Sequence, residues 1–275
     1  MNIDLHCHST ASDGLLKPGE LVARAAANGV EVLALTDHDD LSGLAEARAE
    51  AESRGIRFVD GVEISVTWER TTVHIVGLQV DPEDPVLRSG LESVREGRAR
   101  RAEKIGDALE AAGIPDGLAG ARRYAENPNL ISRSHFARYL AGSGRAPDMK
   151  SVFQRYLVKD KPGFVEHRWA ALADAVSWIR ASGGTAVVAH PGRYKLSKAE
   201  MKTFLAEFRD RGGAGIEVVT GSHSPEQYLE FARVARELGL SASRGSDYHG
   251  KGESKADLGA LPRLPDDLNP VWRDW

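Results

Sequence analysis

Short apolar runs separated by stretches of helical spacing recur along this chain, and that alternation narrows the available folds more than any other feature. The runs fall at residues 2–5, 31–35, 58–60 continuing into 62–66, 73–80, 185–189, 215–219 and 240–243. Between them, residues 18–28, 42–53, 170–181, 197–211 and 225–238 carry apolar side chains at intervals of three and four. Several of these open on Pro or Ser and close near Gly, as helices do. Strand–helix alternation predicts a parallel sheet, open or closed into a barrel, because parallel neighbours need a crossover and a helix supplies it. From Pro85 to about Lys161 the pattern changes to consecutive helices at 87–112, 117–126, 134–141 and 149–157. Residues 85–161 are therefore expected to form an inserted helical subdomain, with 1–84 and 162–275 building the sheet.

At 275 residues and 41% hydrophobic, the chain can bury a full core. It shows neither a basic-then-apolar leader nor a run of about 18 apolar residues, so no membrane span and a cytoplasmic location are expected. A single cysteine, Cys7, excludes an internal disulfide and a thiolate cluster, so any metal must be held by nitrogen and oxygen. The net charge of −4 conceals an asymmetry. Residues 86–168 hold sixteen Lys and Arg against ten Asp and Glu, leaving twenty against thirty elsewhere. A basic segment within an acidic chain points to an anionic ligand.

The histidines fall into place on this frame. In "DLHCHSTASDG" the strand period of two puts His6 and His8 on one face and Cys7 on the other. His38 follows "LALT", His190 follows "TAVVA", His223 follows "IEVVTGS", and Asp247 and His249 follow "LSASRGS". Glu63 lies just after "FVDGV", and His74 opens "VHIVGLQV". In a βα barrel the C-terminal strand ends share one face, where sites are built, so these residues would converge. A lone histidine is ordinarily surface or hydrogen-bonded core; the conjunction is what argues for a metal centre.

The segments "DLHCHSTASDG", "ALTDHD", "GVEIS", "VHIVG", "AHPGR" and "GSDYHG", in this order and over nearly the whole chain, resemble the motifs of the polymerase and histidinol phosphatase (PHP) family. The resemblance implies a distorted seven-stranded (β/α)7 barrel with two or three divalent metals at its mouth. It implies one metal on His6, His8, Glu63 and Asp247, a second on Asp13, His38 and His249, and a third on Glu63, His74 and His190. Glu63 would bridge the first and third, and Asp247 would lie beside the attacking water. Many members of the family have histidine where this chain has Asp13. An oxygen ligand there favours a harder ion, which puts manganese ahead of zinc or iron. Asp37 is expected to orient a ligand or cap a turn, and Cys7 to be small and buried.

Such a centre suits phosphoester hydrolysis, with Asp247 taking the nucleophile's proton and His223 protonating the leaving alcohol or binding its phosphate. Selection of substrate is expected from the basic insertion. Arg133, Ser134 and His135 sit at a helix start, where free N–H groups and an arginine fork can meet phosphate. Lys159 and Lys161 lie where the chain returns to the sheet, and Arg193 neighbours a proposed ligand. Phe136, Tyr139, Phe153, Tyr156, Phe164 and Trp169 would stack bases or fill the core. Within the family, the length and the "SRSH" segment look most like the 3′,5′-nucleotide bisphosphate phosphatases and 5′-to-3′ exoribonucleases. That resemblance implies a phosphorylated nucleotide, or short single-stranded 5′-phosphorylated RNA, as substrate, and no obligate protein partner. Histidinol-phosphate phosphatase and a non-catalytic PHP module are the alternatives.

Overall fold

The computed structural model describes residues 1–275. Its frame is a sheet of β1 (Ile3–Asp4), β2 (Val32–Leu35), β3 (Arg57–Trp68), β4 (Thr71–Leu78), β6 (Thr185–Val188), β7 (Gly215–Thr220) and β8 (Ser241–Gly245), hydrogen-bonded in that order. A two-residue strand, β5 (Ala170–Ala171), pairs alongside β3, at the start of a segment expected to be wholly helical. The sheet curls until its edges meet: Leu5 N–H donates to Arg244 O at 3.0 Å and Asp247 N–H to His6 O at 2.8 Å. The result is the nearly closed seven-stranded barrel.

The expectation of a purely parallel sheet needs correcting. β4 runs antiparallel to both β3 and β6, while the other neighbours along this path are parallel. Trp68 pairs with Thr71, so only Glu69 and Arg70 connect β3 to β4, and two residues make a hairpin but never a crossover. The runs at 58–60 and 62–66 are one strand through Gly61, where a Cβ would lie 2.8 Å from the Thr36 side chain.

Alternation along the strands sends Leu5, Val32, Ala34, Val59, Val76 and Val187 into the barrel. The chain's end closes its floor: Asn269 and Val271 hydrogen-bond to both sides of Ala242, and Val271, Trp272 and Trp275 pack against the interior cluster. Helices α1 (Pro18–Ala27), α2 (Leu44–Arg54), α7 (Leu172–Ala181), α8 (Lys198–Asp210) and α9 (Pro225–Leu238) cover the outside. α9 shows how sequence sets such bounds: Ser224 and Gln227 cap each other's backbone, Pro225 fills the first turn, and Gly239 ends it at φ 65°.

Between β4 and β5 lie α3 (Pro85–Ala111), α4 (Gly117–Arg122), α5 (Arg133–Gly142) and α6 (Met149–Val152), the last running into a wider turn at Phe153–Leu157. They enclose a separate apolar cluster of twelve buried residues around Leu109, Phe136 and Leu140. The first half of α3 packs instead on α7, where a Cβ on Gly90 would sit 2.3 Å from the Trp178 ring. No helix is long and apolar enough to cross a membrane.

Candidate metal centre and substrate cavity

His6 and His8 leave β1 toward the mouth, while Cys7 between them turns the other way and donates its S–H to Ala34 O. Burial pushes this thiol well above its usual range, so it is an inert core residue. β4 is reversed, so His74 near its start reaches the same mouth as residues beyond the ends of the parallel strands. Glu63 lies in β3 past the end of β2, paired with the backbone of His38. Three of the seven non-glycine residues with positive φ are here, Asp39, His190 and Asp247, at 51°, 26° and 55°. Backbone strain of this kind persists only where surrounding contacts hold it.

The side chains converge closely. His6 Nε2 lies 3.1 Å from His8 Nε2, 3.4 Å from Glu63 Oε2 and 3.6 Å from Asp247 Oδ1. His8 Nε2 lies 3.3 and 3.4 Å from the same two oxygens. Ligands about 2.1 Å from a tetrahedral divalent ion stand roughly 3.4 Å apart, so this set fits one. Asp13 Oδ1 is 3.4 Å from His249 Nε2 and 3.9 Å from His38 Nε2. Glu63 Oε1 faces His74 Nδ1 at 2.9 Å and His190 Nε2 at 2.8 Å. All nine candidate ligands therefore come together.

Their hydrogen bonding is incomplete in a way that fits cations. Asp13 Oδ1, Glu63 Oε2, Asp247 Oδ1 and His38 Nδ1 are buried without a hydrogen-bond partner. His38 Nδ1 and Glu63 Oε2 lie 2.9 Å apart yet lack hydrogen-bond alignment, as two ligands aimed at a common point would. Burial works against ionisation of Asp13, Glu63 and Asp247, but the surrounding imidazoles outweigh it and hold all three well below the carboxylate range. Burial likewise opposes charge on His8, yet Asp247 and Glu63 raise it to about 9; at His38 and His190 burial wins, leaving them at about 4 and 3. Three ionised carboxylates in a buried pocket are a seat for divalent cations.

Outer contacts fix the orientation. Glu217, fully buried on β7, accepts from His6 Nδ1 at 2.8 Å and from His190 N–H at 2.6 Å. That bond puts the His6 proton on Nδ1 and leaves Nε2 facing the cluster. Glu217 escaped the sequence reading; its signal was an acid within the apolar run "GIEVVT". Asp37 accepts from Ser9 N–H and Oγ–H and from Ser12 Oγ–H, holding the turn after His8. From the insertion, Ser132 Oγ donates to Asp13 Oδ2 at 2.9 Å, and Arg138 ties Asp13 O to Glu253.

A cavity of about 960 Å³ opens over the cluster, walled by the insertion, the β3–β4 hairpin and the returning segment 164–169. Arg133, Ser134, Lys159 and Arg193 line it, and Arg193 Nη1 meets Asp247 Oδ2 at 2.8 Å. Three expected substrate residues do not. His135 is buried, its Nδ1 accepting Ser132 N–H, so it caps α5. His223 has both nitrogens engaged: Nδ1 donates to Val218 O, and Nε2 accepts Gly192 N–H. Stacked on Phe231 and held at about 4 by burial, it pins the turn that presents Arg193 and is neither acid nor phosphate ligand. Lys161 is exposed outside the cavity wall. Phe136 belongs to the insertion's core, while Phe153, Phe164 and Trp169 line the cavity. Arg98, Arg101 and His167 line it as well, and sequence reasoning had not singled them out.

Comparison with known proteins yields a family that matches most of the chain and relatives that cover nearly all of it. The PHP domain model matches residues 4–221. A 3′,5′-nucleoside bisphosphate phosphatase of Chromobacterium violaceum is 53% identical over 99% of this chain and 96% of that protein. A 5′-3′ exoribonuclease of Haemophilus influenzae is 43% identical over 98% and 97%. A solved structure from C. violaceum, described as an amidohydrolase with bound sulfate and no metal, superposes with a TM-score of 0.96 at 53% identity, covering 99% of this chain and 95% of that one.

Proposed function

The chain belongs to the PHP family, and from that premise we propose that it is a metal-dependent phosphoesterase that hydrolyses the 3′-phosphate of nucleoside 3′,5′-bisphosphates to give 5′-monophosphates. The observation that carries this reading is a nine-residue cluster of metal-ligand type opening directly into a cavity lined with arginines. The relative named as a bisphosphate phosphatase supports the substrate.

In this reading His6, His8, Glu63 and Asp247 hold one ion, Asp13, His38 and His249 a second, and Glu63, His74 and His190 a third, with manganese our choice of metal. Such ions, when bound, polarise phosphoryl oxygens and lower the pKa of water. The protein supplies the rest. Asp247 Oδ1, which has no hydrogen-bond donor, keeps one lone pair to face an ion and another to receive the proton of the attacking water. Its other oxygen is held by Arg193, whose half-exposed guanidinium also meets phosphoryl oxygens from the cavity side. Arg133, Ser134 and Lys159 take the phosphate that is not cleaved. Holding both phosphates sets the 3′ ester over the cluster, so binding energy from the remote group appears in kcat as well as KM.

A second substrate, short 5′-phosphorylated RNA, is favoured by the cavity's size, at the upper end for small-molecule sites, and by the relative named as an exoribonuclease. The test is phosphorus NMR of the products from adenosine 3′,5′-bisphosphate with manganese. Adenosine 5′-monophosphate and inorganic phosphate are expected. Adenosine 3′-monophosphate would reverse the two pockets, and turnover of histidinol phosphate without turnover of the bisphosphate would replace the reading.

A further inference from the structure

α3 sends Arg98 and Arg101, one turn apart, toward the cavity. Arg98 is answered: Nε meets Asp39 Oδ2 at 2.6 Å and Nη2 donates to Ser65 Oγ at 2.7 Å. Arg101 is not. Its Nε donates to Val165 O at 3.3 Å, and its Nη groups make no hydrogen bond. No carboxylate lies within 4.0 Å of Arg101 or of Arg133 on the facing helix start. Burial, and then the charges of Arg133 and Arg98, lower Arg101 to about 9. Arg133 is lowered too, by burial and then by Arg193 and Arg98, with Asp13 alone opposing.

Each guanidinium rests on an aromatic floor. Arg98 and Arg101 lie 4.7 and 5.4 Å from the Trp169 ring, and Arg133 lies 5.7 Å from Phe153. Trp169 is itself fixed by Thr67 Oγ1, which accepts its backbone N–H at 2.8 Å, and by the His167 ring at 4.3 Å. Aromatic faces restrain the cations and leave their N–H edges free. Arg101 and Arg133 are half-buried on the cavity wall, where cations that repel one another without a paired acid favour an anionic ligand that supplies the missing charge.

We infer that Arg101 and Arg133 form a two-armed clasp for the terminal 5′-phosphate of the substrate, with Arg101 the residue that selects a phosphate monoester over a 5′-hydroxyl. The inference rests on the proposed function and adds to it a residue and a chemical class. Two guanidiniums match a dianionic monoester with three free oxygens; an internal diester offers one charge and two. The clasp therefore reads a strand end, which admits bisphosphates and 5′-phosphorylated RNA alike and disfavours the same molecules with 5′-hydroxyls.

The test compares kcat/KM for adenosine 3′,5′-bisphosphate with that for adenosine 3′-monophosphate, in the manganese-loaded wild type and in Arg101→Met and Arg101→Lys. In Arg101→Met the preference for the bisphosphate should fall on the order of ten- to a hundredfold, the loss of a charge-assisted hydrogen-bonding arm. Arg101→Lys should fall between, since it keeps the charge without the fork. The melting temperature of Arg101→Met should not drop, because the charge removed has no acid partner; a purely structural arginine would lower it. A wild-type preference that survives Arg101→Met, or equal losses on both substrates, overturns the clasp alone. A wild type that does not prefer the bisphosphate overturns the proposed function and the clasp with it.

Discussion

Replacing Glu217 by glutamine isolates what a buried carboxylate does for the metal centre, because size is kept while one acceptor becomes a donor. Glu217 takes two donors, the His190 N–H at 2.6 Å and His6 Nδ1 at 2.8 Å. The backbone N–H cannot change its role, so the glutamine oxygen must stay with it. The new amide NH2 then faces His6 Nδ1, and two donors cannot bond. His6 resolves the conflict by moving its proton to Nε2, the nitrogen that looks onto His8, Glu63 and Asp247. A protonated Nε2 has no lone pair for a metal.

The magnitude follows from two sides. Loss of a charge-assisted hydrogen bond is worth about 1.5–3 kcal/mol, and altered outer contacts of metal ligands cost roughly 10–100-fold in affinity. Manganese titration by calorimetry should therefore show the dissociation constant of at least one site raised ten- to a hundredfold. Glu217→Asp, which keeps the acceptor on a shorter stem, should lose less. Wild-type metal affinity in Glu217→Gln would refute the reasoning and leave Glu217 as a buried acid serving only to join β7 to the loop at His190.

Other expectations follow from the same structure. Asp247→Asn should lower turnover on the order of a hundred- to a thousandfold while circular dichroism and melting stay near wild type; residual activity within tenfold would remove Asp247 from the chemistry. Burial holds His135 and His223 at about 4 against an ordinary 6.5, so the stability they provide is complete above pH 6.5 and is lost as pH falls toward 4. Each should contribute on the order of 2–3 kcal/mol to that loss, and urea unfolding of His223→Gln should be less steep in pH across this window. Trp272→Ala should cost about 2–3 kcal/mol in urea unfolding by opening the barrel floor, with KM unchanged because the site lies at the opposite end.

Much of the centre was legible because its signals are local. H-x-H after a strand fixes His6 and His8 on one face, and strand-end positions placed His38, His190 and Asp247 on a common mouth. Where the reading failed, the deciding fact was a partner remote in sequence. His135 and His223 stand where ligands would, yet each spends its ring nitrogens on backbone groups, Ser132 N–H for one and Gly192 N–H and Val218 O for the other. No spacing reveals that. The reversal of β4 was different: "WERTTV" places a short polar break between two apolar runs, and that break is the hairpin.

α3 carries the most instructive miss. Its buried side chains fall at Leu87, Leu91, Val94, Arg98, Ala102, Ile105 and Leu109, a stripe spaced by three and four that is apolar except for one arginine. Within "REGRARRAEK" the charges look like a solvated face, and counting them gives only a basic segment. Read by helical phase, Arg98 occupies a core position, which a lone cation holds only when an acid waits there, here Asp39 beside the proposed ligand His38. The next turn of that edge brings Arg101 to the cavity, where no carboxylate lies within 4.0 Å of it. The same helix thus joins the insertion to the metal centre through a satisfied charge and opens toward the substrate through an unsatisfied one. An arginine interrupting an apolar stripe is a sequence signal for the first, and one turn further along the helix is where to look for the second.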